Sequence, residues 1–536
     1  MYYLKRFIFL FSLFFSILSL AQTKKIRIIN ADYQYTDEEK YAGATVLLGN
    51  VKIEHEGIKL DCKKAFYFKD RNFFKAIEDV YVNQGDTITQ TSDYVDYDAN
   101  TKQALSWGNV VAKDPSITLT TDTLNLDRIN QKFYYKSYGT IKDATNTLKS
   151  KVGNYFLENK KFTATVNVTV DNPNHYLESN HLDYYTESGY TYLYGPSTVT
   201  NKENGNKIYC EKGFYNTKTD VSHFVKNAKL YANERTVEGD SLYYDKNRGF
   251  ASATNNIKVV DTLQNFITKG NYAELFELKD SLFIIKRAVA ISIVDKDSMF
   301  VHGDTIMVTG KPEARIVRTF HNVKIFKSDL QGKCDSIHTD QSTGLTRLFK
   351  KPVLWSDSNQ IMGDTIHLLS NTVTEQLDSL KVLNNSFIIS KDSLGEDHFN
   401  QIKGRNMFGK FYNNKLRTLL VKGNAESVYF NRNEETKILE TITKEISSNI
   451  EFTLEDGEIV SIKYLVQSDG KTHPPSKFPE KDMQLKGFVW REDEQPKTRN
   501  DIFKKDKKEV PEEKSEDLKK SPAILPKKLE KEGKQL

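Results

Sequence analysis

The sequence predicts an all-β protein built as an elongated repeat array, and three features of its 536 residues support this. A box of the form small–polar–x–aliphatic–x–aromatic returns about every 30 residues, as in TTDTLNL (120–126) and EGDSLYY (238–244). Apolar and polar residues alternate inside each box, which is typical of half-buried strands. Aromatic residues make up 12% of the chain and charged residues 28%, so a narrow apolar interior must lie beneath a large polar surface. A fixed period of this length indicates units that bury their apolar faces only against their neighbours.

The third residue of each box serves as a register mark for about twelve units. The marks are separated by 29 to 31 residues, except for steps of 34 and 40 late in the chain. Side chains two and four residues after a mark share one strand face, and they are mostly aliphatic or tyrosine. The residue between them is chemically mixed, as expected on an outward face. The marks are Lys63, Asp93, Asp122, Lys151, Asn180, Glu211, Asp240, Gly270, Asp304, Asp335, Asp364 and Gly404.

A second strand follows each box, and its expected entry is often a Gly-Asn pair or a single Asn. Examples are Gly49-Asn50, Gly108-Asn109 and Gly423-Asn424. Gly and Asn tolerate backbone conformations that other residues resist, so we expect turns or bulges at these points. Thirty residues fit either one coil of a parallel β-helix or two to three antiparallel strands, and the sequence leaves this topology open.

Residues 1–21 have the pattern of a cleavable secretory signal peptide. Lys5 and Arg6 precede an apolar run of about 14 residues, and Ala21 closes a small-residue end. The run is shorter than the roughly 20 residues of a membrane-spanning helix, although an uncleaved N-terminal anchor is the alternative. We therefore expect export to the periplasm, either free there or in association with the outer membrane.

The three cysteines, Cys62, Cys210 and Cys334, each lie one residue before a register mark. They are four or five units apart. At about 4.8 Å per stacked strand even the closer pair is about 20 Å apart, whereas a disulfide needs Cα atoms within about 7 Å. The spacing therefore predicts three free, small, buried thiols.

The regular array is expected over residues 24–430, beginning with a lead-in strand. Residues 431–470 follow, and within them the spacing of apolar residues at 434–450 suggests a short helix-like passage. Two last strands are expected at 450–454 and 459–465.

The C-terminal tail, residues 471–536, is rich in Pro and in charge. Its last 46 residues carry 14 Lys or Arg and 12 Asp or Glu, with almost no aromatic residues. Such a composition buries too little apolar surface to offset the entropy of ordering. We therefore expect this tail to be mostly disordered.

Two stretches, GNVKIEHEGIKLDCKKAFYF (49–68) and GNVVAKDPSITLTTDTLNLD (108–127), resemble the repeat of the OstA-like or LptA-type lipopolysaccharide-transport family. The shared features are the Gly-Asn-Val segment, a break, and an Ile-x-Leu/Thr strand leading into Asp-x-aliphatic-x-Tyr/Leu. The resemblance covers most of residues 30–430 at the level of the repeat and is strongest over 24–130. In addition, FPEKDMQLKGFVWR (478–491) resembles the C-terminal part of OstA-like proteins of Bacteroidota.

The resemblance implies a folded-over, antiparallel β-jellyroll whose concave interior holds acyl chains. It also implies a periplasmic bridge that carries lipopolysaccharide to the outer membrane. The implied partners are the acyl chains of lipid A and, through edge strands, other Lpt-type jellyroll proteins or an outer-membrane translocon. This chain has more units than the family's short bridge protein and lacks the translocon's long run of membrane-type strands, so it resembles a self-contained extended bridge.

The candidates for a lipid-binding trough are the inward-facing apolar residues that recur along the array. The same stripe would fill the core of any β-solenoid, so the alternative is a structural or adhesive exported rod with a filled core. A second alternative is a β-helix enzyme acting on carbohydrate, which needs clustered carboxylates on one face. The trough-facing candidates are Val51, Ile53, Val95, Tyr97, Leu124, Leu126, Leu182, Tyr184, Leu242, Tyr244, Ile306, Val308, Ile366 and Leu368.

The sequence predicts no catalytic residue, metal site or cofactor. Gly-Asp-Ser/Thr recurs at 239–241, 303–305 and 363–365, and its fixed position favours a turn in which Asp bonds local backbone N–H groups. The ten His lack zinc-ligand spacing. Nucleic acid is disfavoured because the net charge is only +5 and no basic stripe is interleaved with aromatics. Asp-Ser/Thr-aliphatic triplets such as 392–394 resemble an O-glycosylation sequon.

Overall fold

The computed structural model describes residues 25–505 apart from short gaps at 86–87, 233–234, 263–265, 295–296, 312–313, 357, 375, 393, 396, 434 and 456–457. The expected signal peptide lies outside the described residues, as does the last part of the tail, 506–536. The described chain is nearly all strand, which confirms the all-β prediction. Short 3₁₀ turns lie at Glu277–Lys279, Pro475–Lys477, Glu480–Asp482, Glu492–Glu494 and Asp501–Phe503.

The strands are β1 (Arg27–Asn30), β2 (Tyr33–Thr36), β3 (Thr45–His55), β4 (Ile58–Phe68), β5 (Phe73–Gln84), β6 (Ile88–Asp98), β7 (Gln103–Lys113), β8 (Thr118–Asp127), β9 (Lys132–Tyr135), β10 (Gly139–Lys142), β11 (Thr147–Ser150), β12 (Val152–Phe156), β13 (Lys161–Asp171), β14 (His175–Tyr185), β15 (Tyr190–Asn201), β16 (Lys207–Asn216), β17 (Val221–Ala232), β18 (Arg235–Asp245), β19 (Phe250–Asp261), β20 (Phe266–Phe276), β21 (Ser281–Ile285), β22 (Val289–Val294), β23 (Asp297–His302), β24 (Thr305–Thr309), β25 (Ile316–Phe326), β26 (Gln331–Asp340), β27 (Leu345–Phe349), β28 (Val353–Ser356), β29 (Asn359–Met362), β30 (Thr365–Ser370), β31 (Leu377–Lys391), β32 (Phe399–Tyr412), β33 (Lys415–Arg432), β34 (Leu439–Glu455), β35 (Glu458–Leu465) and β36 (Asp469–His473).

All strands belong to one antiparallel sheet in which the chain runs back and forth, each long strand pairing with the one before and the one after it. Most long strands bend near the middle, and some bends interrupt the strand, so that β1 and β2, or β9 and β10, are two halves of one bent strand. Each repeat unit is thus two bent antiparallel strands. This result decides the topology that the sequence left open.

Every second bent strand turns at two consecutive residues in the left-handed backbone region. In β19 these are Asn255 and Asn256, with φ of 55° and 50°, and in β7 they are Gly108 and Asn109, with φ of 74° and 51°. The bent strand has one residue more than its neighbours here, as in a β-bulge. Most L-residues adopt this region only at a cost of about 1–2 kcal/mol, which explains the recurring Gly and Asn. The Gly-Asn pairs were expected at the start of a strand, but they lie in the middle of one, at its bend.

The register marks lie at the bends of the intervening strands, where they accept hydrogen bonds from these Asn side chains. Asn322 Nδ2 lies 2.7 Å from Asp304 Oδ2, and Asn385 Nδ2 lies 3.0 Å from Asp364 Oδ2. The Asp of the Gly-Asp-Ser/Thr boxes is thus bonded by the next strand, which corrects the expected local backbone turn. Equivalent bonds join Asn50 to Asp32, Asn109 to Asp93, Asn227 to Glu211 and Asn256 to Asp240. We call this series the bend ladder.

The bends divide the sheet into two facing layers. Half-sheet 1 contains β1 and residues 51–55 of β3, and half-sheet 2 contains β2 and residues 45–48 of β3. Hairpin turns beyond half-sheet 1 form the first rim, which includes 56–57, 114–117, 143–146, 172–174, 202–206 and 327–330. Turns beyond half-sheet 2 form the second rim, which includes 69–72, 99–102, 128–131, 157–160, 186–189, 217–220, 246–249 and 341–344. The layers meet at the bend ladder, and the opening between the two rims is the mouth of the fold.

The helix-like passage expected at 434–450 is wrong. Most of it belongs to β34, which pairs with β33 from Thr418↔Thr453 to Arg432↔Leu439. Ile442 packs beneath the C-terminal segment and Ile450 packs in the interior, whereas Ile438 and Ile446 are exposed, so their four-residue spacing mimics a helical face without forming one. Long-range pairing overrides the local pattern. The strands expected at 450–454 and 459–465 are present within β34 and β35.

Part of the expected disordered tail is ordered as a strap, Pro474–Phe503, on the outer face of half-sheet 1. It runs back along the stack from β34, where Lys444 lies 2.6 Å from Asp482, to β23, where the rings of His302 and Phe503 are 4.8 Å apart. Strap residues Phe478 and Leu485 complete an apolar cluster on this outer face. The other members of the cluster are Phe387, Ile389, Phe399, Val428, Phe430 and Ile442.

Two fully buried glutamines hold the strap backbone. Gln401 donates to the carbonyl of Met483 (2.7 Å) and accepts from the N–H of Leu485 (2.8 Å). Gln360 does the same with the carbonyl of Val489 and the N–H of Arg491. Each side-chain amide thus pairs with the strap as the backbone of a neighbouring strand would. The strap carbonyl and N–H groups at these points are therefore hydrogen-bonded.

We predict that Gln360→Leu/Gln401→Leu releases the strap. Four buried backbone groups would lose their partners, at about 1–3 kcal/mol each. Limited proteolysis followed by mass spectrometry should show faster cleavage within 474–503. Gln103→Leu, on an exposed position of β7, is the control and should leave the pattern unchanged. Equal cleavage in the double variant and the wild type would contradict this account of strap attachment.

Candidate functional site

The space between the two half-sheets is apolar along the whole described stack. Inward side chains form successive clusters around Val51, around Leu182, around Ile284 and around Val382. The inward positions follow from strand geometry, since alternate residues point to opposite faces. This interior is the candidate site, and it is the trough predicted from the repeat.

The fourteen predicted trough residues all lie on inward positions, but they differ in exposure. Nine are buried: Val51, Ile53, Val95, Tyr97, Leu124, Leu126, Leu182, Ile306 and Ile366. Five are half-exposed: Tyr184, Leu242, Tyr244, Val308 and Leu368. Apart from Leu242, the half-exposed residues occupy the position four after the register mark, nearest the second rim. The trough is therefore not uniform along its length.

In the first units, interior tyrosines hydrogen-bond across the mouth to acids of the first rim. Tyr155 donates to Asp114 Oδ2 (2.6 Å), and Tyr184 donates to Asp143 Oδ2 (3.0 Å). Burial raises the pKa of both tyrosines, and the neighbouring carboxylates raise it further, so the hydroxyls stay protonated donors. We call residues 45–190 the closed section, because here the two rims are bridged.

A cluster around Arg128 closes the mouth at the start of the closed section. Arg128 donates to the hydroxyl of Tyr97 (3.0 Å) and to the backbone carbonyl of Glu56 (3.1 Å). Lys102 lies 2.7 Å from the carboxylate of Glu56, and the hydrogen bond with Lys102 is the main reason that the pKa of this carboxyl is lowered. His55 Nδ1 lies 2.8 Å from the same Tyr97 hydroxyl. The cluster joins a first-rim turn to two second-rim turns.

The same tyrosine position changes its partner further along the chain. The hydroxyl of Tyr215 bonds Asp220 (2.7 Å) and that of Tyr244 bonds Glu277 (3.3 Å), both on the second rim. These bonds stay on one side of the mouth and do not bridge it. We call residues 191–320 the open section. The described first-rim turn of this section is 202–206, and its side chains bond first-rim residues only, as where Lys202 bonds the carbonyl of Asn172.

The interior of the open section mixes small and large residues near the bend, as the closed section does. The small ones include Ala228, Ala253, Ala273 and Ala288 in the open section, and Ala65, Ala76 and Ala164 in the closed section. Apolar residues nearer the mouth of the open section are only partly buried, among them Leu242, Val259, Phe266, Leu282 and Val317. These side chains give the open section a partly exposed apolar lining at its mouth.

By contrast, the closed section is filled by its own side chains. One cavity of about 30 Å³, with room for about two water molecules, lies in this section and is lined by residues that include Ile53, Leu60 and Tyr97. The buried pair Gln90 and Ser106, 2.6 Å apart, also borders it. This part of the stack is therefore core, as the alternative of a filled rod predicted.

The three cysteines are free and buried, which confirms the prediction from their spacing. Burial raises the pKa of the Cys62 and Cys210 thiols to about 11 and that of Cys334 to about 12. They remain thiols at neutral pH and act as small apolar residues. Among the described residues no group of His, Cys, Asp and Glu could hold a metal ion, and no described helix is both long and apolar enough to cross a bilayer.

Sequence reasoning found the trough stripe and missed the acids of the mouth. Asp114 and Asp143 lie in hairpin turns about 40 residues before the tyrosines that they bind. An Asp in a turn is ordinary, and its side chain also bonds the local backbone N–H groups of Ser116 or Thr145. The only signal in the sequence was the tyrosine at the fourth position after the mark.

The fold is a folded-over antiparallel β-stack with an apolar interior. Residues 23–180 match the model of the OstA-like protein family. The chain therefore carries an OstA-like domain, the family predicted from its Gly-Asn-Val units, and that family is one of transport and binding. The match supports a general role in lipopolysaccharide transport. No curated protein matches the chain.

We predict that Tyr155→Phe weakens the closed section. The Asp114 carboxylate is buried, which acts to raise its pKa, but bonds from Tyr155 and Ser116 outweigh burial and lower it. Loss of one bond should cost about 1–3 kcal/mol of unfolding free energy at pH 7. A depressed carboxyl pKa stabilises at neutral pH and this contribution is lost as the pH falls below about 4, so the variant should lose less stability on acidification. Thermal denaturation across pH 3 to 7 measures both effects.

Tyr134→Phe is the matched control, because Tyr134 lies on the outer face of the neighbouring strand. It should change neither the midpoint nor its pH dependence. A loss in Tyr134→Phe as large as that in Tyr155→Phe would remove the mouth bond as the cause.

Proposed function

We propose that this protein binds and transports lipopolysaccharide in the periplasm, as part of outer-membrane assembly. The acyl chains lie in the open section of the trough, and the sugar head remains outside the mouth. The observation that carries the proposal is the change of tyrosine partner between Tyr184 and Tyr215, from a first-rim acid to a second-rim acid, next to the half-exposed apolar residues Leu242, Val259 and Leu282. The family match over 23–180 supports the same role.

The energetics favour an acyl chain as the occupant. Each buried methylene contributes about 0.8 kcal/mol, so a chain of about 14 carbons gains several kcal/mol even when only half of it is covered. The half-exposed Leu242, Val259 and Leu282 would be covered at the same time. A contiguous apolar lining of this kind usually marks a binding surface.

The two ends of the stack suggest how the protein meets its partners. The four residues of β2 are exposed, as are most of β36, and neither half-strand has a described neighbour on its outer side. Unpaired backbone groups on such edges are templates for strand addition. We propose that other Lpt-type jellyroll proteins or an outer-membrane translocon pair there. Periplasmic location rests on the predicted signal peptide at 1–21.

The second candidate function is a structural or adhesive exported rod. The filled closed section favours it, because there the predicted trough residues Tyr97 and Leu126 are side chains of an ordinary core. Under this reading the open section would be a surface groove without a ligand.

A photo-crosslinking amino acid at Leu242 should capture lipopolysaccharide in cells, because this side chain lies inside the open section. Lys258, on the outer face of half-sheet 1, is the control, and a photo-crosslinker there should capture none. Replacement of Tyr97 should also capture none, since that position is sealed. The experiment is read by immunoblotting for lipopolysaccharide on the crosslinked band.

Capture at Leu242 alone would reject the inert rod. No capture at Leu242, Tyr244 or Val308 would reject lipid transport through this groove. As a further check, Ala253→Trp should fill the base of the groove and remove capture at Leu242 without loss of the folded stack, as judged by circular dichroism.

A further inference from the structure

One continuous row of side chains crosses the outer face of half-sheet 2, each directly opposite the next on the neighbouring strand. Early in the row one pair of opposite charges is present, where Lys75 lies 3.1 Å from the Asp96 carboxylate. Later members are first aromatic and then basic. From β14 onward the row reads Asp183, Tyr192, Phe214, His223, Tyr243, Ser252, Glu274, Phe283, Met307, Arg318, His338, Arg347, His367, Lys381 and Phe408.

Five successive members of this row are basic: Arg318, His338, Arg347, His367 and Lys381. They come from five adjacent strand segments and span about 19 Å at about 4.8 Å per strand. No described carboxylate forms an ion pair with the two arginines or the lysine of this set. Arg318 donates one hydrogen bond to the hydroxyl of Thr309 (2.8 Å). We call these five residues the basic row.

In the basic row a histidine separates each charged side chain from the next, and the cations on either side affect the pKa of that histidine. Burial lowers the pKa of His338, and the guanidinium groups of Arg318 and Arg347 lower it further, against the smaller opposing effect of Asp340. Burial lowers the pKa of His367, and Arg347 and Lys381 add to this. Both rings are therefore neutral in the free protein at pH 7, and a bound anion would favour their charged form.

A continuous set of aromatic rings precedes the basic row on the same face. Ring centroids lie 5.9 Å apart for Tyr192 and Phe214, 6.0 Å for Phe214 and His223, and 6.2 Å for His223 and Tyr243. The series goes on through Phe250 and Phe276 to Phe283. The first four rings are tilted or edge-on to one another, with interplanar angles of 55°, 86° and 70°. All of the rings are half-buried, so they form a continuous aromatic surface, the aromatic platform, rather than protruding side chains.

We propose that the outer face of half-sheet 2 binds a phosphorylated glycan, with its phosphates on the basic row and its sugar rings on the aromatic platform. Arginine presents a planar fork that matches phosphate oxygens, and two arginines two strands apart can hold phosphates about 10 Å apart. The C–H face of a sugar ring meets the negative face of an aromatic ring favourably. Because its rings are half-buried and do not protrude, the aromatic platform can contact sugar rings more readily than it can insert into a bilayer.

This inference deepens the proposed function only in naming the glycan, which would be the phosphorylated head of the transported lipid. The basic row lies two to three residues from the second rim, since Arg318 follows the turn that ends near Arg315. A head group leaving the mouth of the open section reaches this face by passing over that rim. The site itself rests on the row and the platform and needs no ligand in the trough.

The test uses the full chain and a fluorescent bis-phosphorylated glucosamine disaccharide without acyl chains, followed by fluorescence polarisation. Arg318→Gln/Arg347→Gln/Lys381→Gln should weaken binding about tenfold or more, since the charge-assisted bonds to phosphate are lost. Lys52→Gln/Lys149→Gln/Lys258→Gln, which removes three lysines from the outer face of half-sheet 1, is the matched control and should leave binding within about twofold. Tyr243→Ala should weaken binding without changing its salt dependence.

Binding should also be tighter at pH 6 than at pH 8, and His338→Gln/His367→Gln should abolish this difference. Unchanged binding in the Arg/Lys triple variant overturns the site. So does equal binding of the unphosphorylated disaccharide. Row-dependent binding of phosphatidylglycerol vesicles or of single-stranded DNA, with none of the disaccharide, overturns the glycan assignment. Acyl capture at Leu242 is measured on the same triple variant, so failure of this site and failure of the proposed function are told apart.

Discussion

The structure depends on the bend that every strand makes at the same point. Two left-handed residues in one strand and an acidic residue in the next hold that bend, and the bond from Asn to Asp fixes where it falls. Without this bend, a sheet of this length would be a twisted ribbon with both faces exposed to solvent. With it, one face of each strand is folded against itself, so that a single meandering chain builds two layers and an interior.

Hydrogen bonds at the mouth then decide what the interior can do. A tyrosine at the same position of each unit reaches across to Asp114 or Asp143 in the closed section, yet bonds Asp220 or Glu277 on its own side in the open section. The switch coincides with half-exposed apolar residues at the mouth, among them Leu242, Val259 and Leu282. One repeat therefore gives a bridged mouth in one section and bonds along the second rim in the next, by changing the partner of one hydroxyl.

The outer faces of the two half-sheets also differ from each other. Half-sheet 1 carries an apolar patch late in the stack, and the chain covers that patch with its own strap, held by Gln360 and Gln401. Half-sheet 2 stays uncovered and passes from paired charges through rings to the basic row. The covered patch adds stability because apolar surface is buried there. The basic row is uncovered and its arginines and lysine have no described carboxylate partner, which favours a binding site there. The strap, by contrast, is part of the fold.

The sequence alone determined the repeat, the inward stripe and the separation of the three cysteines, because the period of the boxes and the two-residue alternation of strands are local properties. It also pointed to the OstA-like family through Gly-Asn-Val. It misplaced the helix-like passage and the extent of the disordered tail, since β34 and the strap are ordered by partners more than 10 residues away. Tertiary structure alone decided where the trough is open and assembled the basic row, because those depend on which strands become neighbours. Side chains such as His338 and Arg347 look like ordinary outward residues until a hairpin places them opposite each other.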